Sequence, residues 1–266
     1  MTAKEELLTP ARFAQASDAT WPGAHVSWAG GWKLRFTDGA GSRAASAWAA
    51  EHEQPLDKTA LEARIGEVAE RYRAAGLRPR FQIWPGDEAL DAALEADGWE
   101  HYDGSLLMAR PANPPPEMSP MDADAVREGR EAMAVIVRTP LAILDDVWRE
   151  GGIGPARRGV LDRSPEPKAY VLGRVGMRPA GAVAMTIHGE VGITQALWVS
   201  PDARGAGLGA VLMKTGMRFA AEMGASVVAH AVLEDNATAI GLYERLGYQA
   251  FGRYHYRRDP EKGLGA

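Results

Sequence analysis

A unit written twice constrains this chain more than any other feature of its sequence. Phe81-Gln-Ile-Trp84, a polar stretch, Ala89 to Ala96 and Gly98-Trp99 recur as His230-Ala-Val-Leu233, Asp235-Asn236, Thr238 to Arg245 and Gly247-Tyr248. The offset is constant and places Glu95 on Glu244. An apolar run, a capping side chain, apolar residues at helical spacing and a glycine stop predict strand, N-cap, helix and left-handed terminus. Gly76 falls one residue out of register on Gly224, and each closes a longer amphipathic stretch. The first carries Leu61, Ile65, Val68, Ala69 and Tyr72, and the second Leu208, Val211, Leu212, Phe219, Ala220 and Met223. A helix–strand–helix–strand block present twice predicts a duplicated α+β chain.

The copies differ ahead of the longer helix. In the second, Leu197-Trp198-Val199 closes an apolar strand, Ser200-Pro-Asp202 turns, and Arg204-Gly205-Ala206-Gly207-Leu208-Gly209 opens the helix. Glycines there permit a tight turn and expose N–H groups at the positive end of the helix, which suits a pyrophosphate. It is not a P-loop, because Lys214-Thr215 follows Met213, and Leu212 stands where a dinucleotide fingerprint needs its third glycine. In the first copy Glu53 to Thr59 contains no glycine, Asp87 replaces Asn236 and Leu94 replaces Tyr243. One anion site per chain is expected, in the second half.

The pattern Val199-x-Pro-x-x-Arg-x-x-Gly-x-Gly209, followed by Asn236-x6-Tyr243-Glu-x-x-Gly-Tyr248, resembles the acetyl-CoA-binding core of the GNAT acetyltransferase superfamily over roughly Ala169 to Arg258. Tyr254-His-Tyr-Arg257, Gly31-Trp-Lys-Leu-Arg35 and Arg43-Ala-Ala-Ser-Ala47 are similar to an actinobacterial-type subgroup with two tandem GNAT-like domains. The resemblance implies a mixed, mostly antiparallel sheet flanked by helices, in which two parallel strands splay apart around the pantetheine arm. It implies acetyl-CoA as cosubstrate, with the pyrophosphate on residues 204–209 and the pantetheine along Leu197, Trp198, Val199 and Asn236. A small-molecule or peptide amine would be the acceptor.

Direct attack by a neutral amine needs a base, donors facing the oxyanion and an acid for the departing thiolate. By resemblance Tyr243 is that acid, although its spacing with Ile240 fits a core aromatic equally, as Asn236 fits a plain N-cap. For the base, Glu190 begins the strand that carries it in some relatives, yet follows His188-Gly189 as a hairpin residue does. Glu234 and Asp235 fit turn carboxylates, and a water chain can serve instead. Thr194 and Gln195, mid-strand, are candidates for bonding the acetyl group or that water. Trp198 suits core or pocket wall. The competing readings are a noncatalytic acyl-CoA-binding regulatory module and a nucleotide-phosphate binder.

The 266 residues, 46% apolar, suffice for one large or two ordinary domains. Residues 1–110 are expected to form a degenerate GNAT-like domain, 111–120 (Pro111-Ala-Asn-Pro-Pro-Pro-Glu-Met-Ser-Pro120) a linker, and 121–266 the catalytic domain. Helices are expected at Asp122–Arg138 and Leu141–Arg149, split by Pro140, with strands near 169–175, 181–187, 191–199, 226–233 and 252–258. In the first half, strands around Trp28 to Phe36 and Ala45 to Trp48 are expected to join at Thr37-Asp-Gly39, and residues 139–168 to include a variable loop. The chain has no Cys, and its six His lack paired metal-ligand spacing, so no metal is expected. A net charge of −5 argues against nucleic acid, and no apolar run or signal-like start argues for a membrane. A cytoplasmic monomer or homodimer is the expectation.

Overall fold

The computed structural model describes residues 7–51, 56–117 and 131–260. The predicted strand periods become β1 (His25–Ala29), β2 (Trp32–Phe36), β3 (Ala47–Ala49), β4 (Arg80–Ile83), β5 (Glu100–Pro111), β6 (Ala132–Val137), β7 (Lys168–Val175), β8 (Arg178–His188), β9 (Val191–Val199), β10 (Val227–Leu233) and β11 (Gln249–Arg258). Helices among the described residues are α1 (Pro10–Thr20), α2 (Lys58–Ala74), α3 (Glu88–Ala96), α4 (Ala142–Glu150), α5 (Pro155–Arg163), α6 (Leu208–Glu222) and α7 (Ala237–Arg245). All strands join one sheet in the order β1-β2-β3-β4-β11-β5-β10-β9-β8-β7-β6. Among the described residues only β3–β4 and β9–β10 pair parallel.

The written repeat is visible in space. α3 and α7 are each nine residues long and begin at equivalent positions, and Gly98 and Gly247 end them with φ of 79° and 85°. The halves nevertheless do not close separately. β5, from the first half, lies between β10 and β11, and β11, from the second, lies between β4 and β5. Each half lends its last strand to the other's sheet. The loan is anchored by side chains, since Arg257 on β11 donates to Asp91 on α3 at 2.7 Å and His255 meets the same carboxylate at 2.9 Å.

Strand alternation then assigns the helices to faces. Phe81 and Ile83 pack with α2 and α3, while Trp84 joins Phe13 of α1 on the opposite side. On β10, Val228 and Val232 pack with α6 and α7, while Val227 and Ala229 face α1. So α2, α3, α6 and α7 share one face; α1, α4 and α5 cover the other.

Several expectations need correcting. The second part of the helix expected at Asp122–Arg138 is strand β6, because Val135-Ile136-Val137 is a β-branched run that pairs with β7 across Tyr170 to Leu172. Residues 122–130 of that expectation lie outside the described residues. Gly30-Gly31 breaks Trp28 to Phe36 into the β1–β2 hairpin, with Gly30 at φ 57°. The 139–168 region holds α4 and α5, the latter opened by Pro155 at its first turn. Pairing also runs into the proline-rich segment, since Pro111 is still strand and the Ala112 N–H donates to Ser226 O.

Candidate active site between strands β9 and β10

The site begins where pairing stops. β9 and β10 are matched only from Val191/Val227 to Ile193/Ala229, and beyond that point Thr194 and His230 stand across an opening. A bulge accompanies the parting. Ala196 adopts a left-handed φ of 54°, the β8–β9 register shifts between Ala182 and Ala184, and the buried Trp148 indole donates to Ala196 O at 2.8 Å. The extra residue resets the alternation. Leu197 and Val199 consequently face α6 and α7, whereas Ala196 and Trp198 face α4.

At the wide end of the opening sits the glycine turn. A short helical turn, Pro201–Ala203, leads to Gly205 at φ 83° and Gly207 at φ 78°, the latter being the residue that caps α6. Both conformations favour glycine, and nothing lies within 4 Å of a Cβ built at either. The first helical bonds run from Ala210 and Val211 to Gly207 O, so the N–H groups ahead of them have no helical acceptor. Gly209 serves a different purpose: a side chain there would press on Leu242 at 3.2 Å. Arg204 stacks its guanidinium over Trp198 at 5.2 Å and donates to Val199 O. Trp198 packs against Gly151 at the end of α4, which makes it a wall of this end of the opening.

A polar cluster lines the narrow end. Tyr243 on α7 packs its ring against His230 at a tilt of 48° with centroids 3.8 Å apart, and Tyr248 meets the same imidazole at 4.6 Å. Burial drives the His230 pKa down to about 3 and pushes the Tyr243 phenol up to about 12. Tyr248 is raised by burial as well, and its hydroxyl lies beside Thr194. Both ring nitrogens of His230 are buried without a hydrogen-bond partner among the described residues, and the buried Thr194 Oγ1 and Tyr248 Oη have at most each other. Such orphans are expensive in a finished core and ordinary in a site built to receive a polar ligand. An amide-rich arm and a thioester between β9 and β10 suit these donors and acceptors, as a diphosphate suits the glycine turn.

The structure therefore brings Leu197, Trp198, Val199, residues 204–209 and Tyr243 around one opening, and it does not bring Glu190 there. Glu190 occupies the β8–β9 hairpin at the far end of β9, with its side chain 70% exposed and its carbonyl accepting from Ser226 and Val227. Asn236 caps α7, its Oδ1 accepting from Ala239 N–H at 3.1 Å. Gln195 is committed to Thr20 of α1, donating to Oγ1 at 2.8 Å. Glu234 pairs with Arg253 and lies against Gly104. Sequence reasoning passed over His230, Tyr248 and the bulge. The imidazole was legible as one polar side chain inside the apolar run Val227 to Leu233; a bulge leaves no such mark.

On the opposite face the opening leads into a cavity of about 320 Å³. Ala196 and Ala231 line it from β9 and β10, Tyr254 and Tyr256 from β11, and the segment Ala40–Arg43 from the first half. No cluster of His, Asp and Glu among the described residues is placed to hold a metal, and no described helix is long and apolar enough to cross a membrane.

Comparison with known proteins gives a consistent result. Over 254 residues the chain is 23% identical to the uncharacterized N-acetyltransferase YobR of Bacillus subtilis (strain 168), covering 92% of this chain and 97% of that one. A GCN5-related N-acetyltransferase structure from Kribbella flavida superposes with a TM-score of 0.73 at 22% identity, over 96% of this chain and 97% of the other. A tandem GNAT protein from the clavulanic acid biosynthesis pathway superposes at 0.59 with 16% identity, over 94% and 87% of the two chains. Residues 142–248, which hold the bulge, the glycine turn and Tyr243, match the acetyltransferase (GNAT) family. That segment is what the chain shares with the GNAT acetyltransferases, and the full-length likenesses are to proteins of that kind.

Proposed function

We propose that the protein transfers the acetyl group of acetyl-CoA directly to a primary amine in the opening between β9 and β10. The observation that carries this reading is the coincidence, at one strand parting, of an amide-rich glycine turn and a buried phenol. Acetyl-CoA, when bound, supplies the activated acetyl thioester. The N–H groups of Gly205 to Gly209 would take its diphosphate, with Arg204 alongside, and the unpaired edge of Leu197 to Val199 would hold the pantetheine amides. The Asn236 Nδ2, left over after capping, completes the set.

Tyr243 is the donor to the departing sulfur. With its pKa near 12 the phenol is fully protonated at neutral pH, so it always has a proton to offer. A free thiol titrates near 8.5, well below that value. The resting proton therefore stays on oxygen, and Tyr243 acts by hydrogen-bonding the developing thiolate charge. Glu190 lies too far along β9 to take a proton from the amine, which leaves that step to water in the opposite cavity.

Calorimetry with acetyl-CoA, together with release of free thiol on adding amines, tests the proposal. One binding event per chain and amine-dependent thiol release are expected. Binding without release under any amine would identify a regulatory acyl-CoA module, and preference for ATP over acetyl-CoA a nucleotide binder.

A further inference from the structure

We propose that the amine acetylated here carries an anionic group, a carboxylate or a phosphate, held by Arg43 and Arg157 in the cavity on the α1–α4–α5 face. The inference rests on the acetyl-transfer reading and supplies what that reading lacks, the chemical class of the acceptor. The cavity touches β9 and β10 at Ala196 and Ala231, just past the point where they part. A molecule within it reaches the transfer position from the side opposite the glycine turn.

Among the described residues three charged side chains line this cavity, Arg43, Arg157 and Asp103, in a chain of net charge −5. Arg43 stacks on Trp21 at 4.5 Å and donates Nη1 to the Ser17 hydroxyl at 3.3 Å. Arg157, from the start of α5, lies over the Gly41 turn, where a built Cβ would meet its Nη2 at 3.3 Å. Among the described residues neither guanidinium has a carboxylate within ion-pair distance. Their neighbours do: Arg158 pairs with Asp145 and Asp162, both at 2.7 Å, and Arg35 with Asp18. Asp103, exposed at the rim, accepts from Ser42 and offsets one of the two cations.

Two guanidinium groups close enough to feel one another, facing a shared cavity, form an arrangement that repels itself until an anion arrives. Burial, with Arg35 and Arg157 nearby, holds the Arg43 pKa below its ordinary value. An anion bridging Arg43 and Arg157 would remove that repulsion, and planar guanidinium forks suit a carboxylate or phosphate geometrically. One cation comes from each half of the chain, so the first half contributes directly to acceptor choice.

The test uses the full chain and matched acceptors: amino acids against their amides, and O-phosphoethanolamine against ethanolamine, followed by thiol release. The expected result is at least a tenfold higher kcat/KM for the anionic member of a pair. That ratio should collapse toward one in Arg157→Gln and in Arg43→Gln, and Arg157→Lys should restore part of it. Acetyl-CoA affinity and Tm should stay constant in Arg157→Gln, whose side chain is exposed. Carboxylate and phosphate arms say which anion is read. The inference is overturned if amides or ethanolamine react equally well, if the preference survives both substitutions, or if no anionic amine releases thiol. Failure of acetyl-CoA to bind at all would instead overturn the transfer reading itself, and calorimetry reports it separately.

Discussion

At the scale of single residues, the opening between β9 and β10 is a set of buried groups whose ionisation is controlled by desolvation. Tyr243→Phe keeps the ring on His230 and removes only the donor, so turnover should fall by about 10²-fold or more, the contribution of one preorganised hydrogen-bond donor to a developing negative charge. Acetyl-CoA affinity and Tm should hardly change; turnover within about threefold of the parent would reassign Tyr243 to packing alone. Because its phenol titrates near 12, the kcat profile should show no falling limb between roughly pH 7 and 10. A basic limb there that disappears in the phenylalanine variant would contradict the raised value. His230 behaves in the opposite sense with respect to acid. Folded, it titrates near 3; unfolded, near 6.5; so the unfolded chain binds the extra proton between those values and stability falls with pH across that window. At pH 5 the loss relative to neutrality is about 2 kcal/mol, from 1.36 kcal/mol per unit. Denaturant melts at pH 7.5 and 5 should show His230→Phe lacking that part of the acid loss, and an unchanged acid arm would mean that the imidazole is solvated. Tyr243, Asn236 and the glycines were readable at this scale because a motif fixes them by spacing. Arg43 and Asp103 were not, since their importance arises only when two distant segments meet across a cavity.

At the scale of elements, period and punctuation carried the reading far. Strands β7 to β10 and helices α2, α3, α6 and α7 follow from apolar spacing and glycine stops, because each buries one face against the sheet. Helix α1 escaped notice although Thr9 caps it and Pro10 opens it, since Phe13 is the one large apolar residue on a buried face otherwise made of Ala14, Ala16, Ser17 and Thr20, too little for an apolar stripe. Strand β6 was taken for helix because a β-branched edge strand and a short helix offer the same apolar count. The glycine turn yields the prediction proper to this scale. Gly207→Asn, which tolerates a left-handed φ, should keep acetyl-CoA affinity within a fewfold, whereas Gly207→Glu should weaken it at least tenfold by placing a carboxylate on the diphosphate. Calorimetry decides; equal affinity in all three proteins would remove the diphosphate from this turn.

At the scale of the whole molecule, the duplication was legible and its closure was not. Nothing in Glu100 to Pro111 says that it pairs with β10 and β11, because a two-sided apolar strand such as Leu106-Leu-Met-Ala109 fits any central position. Residues 119–266 expressed alone lack the strand between β10 and β11, so they should be unfolded by far-UV circular dichroism or recovered only as aggregates. A peptide spanning 98–112 should restore part of the fold, and an isolated second half that is folded and fully active would refute the mutual dependence. The lent strands also bear on how the chain is made. On a ribosome, β4 and β5 emerge well before β11 exists, and β5 must then hold an open place for a partner still being translated. Until β11 arrives those edges are unpaired templates. Two nascent chains on one message could fill each other's vacancy with the identical strand, which makes this protein a natural candidate for domain-swapped pairs at high expression.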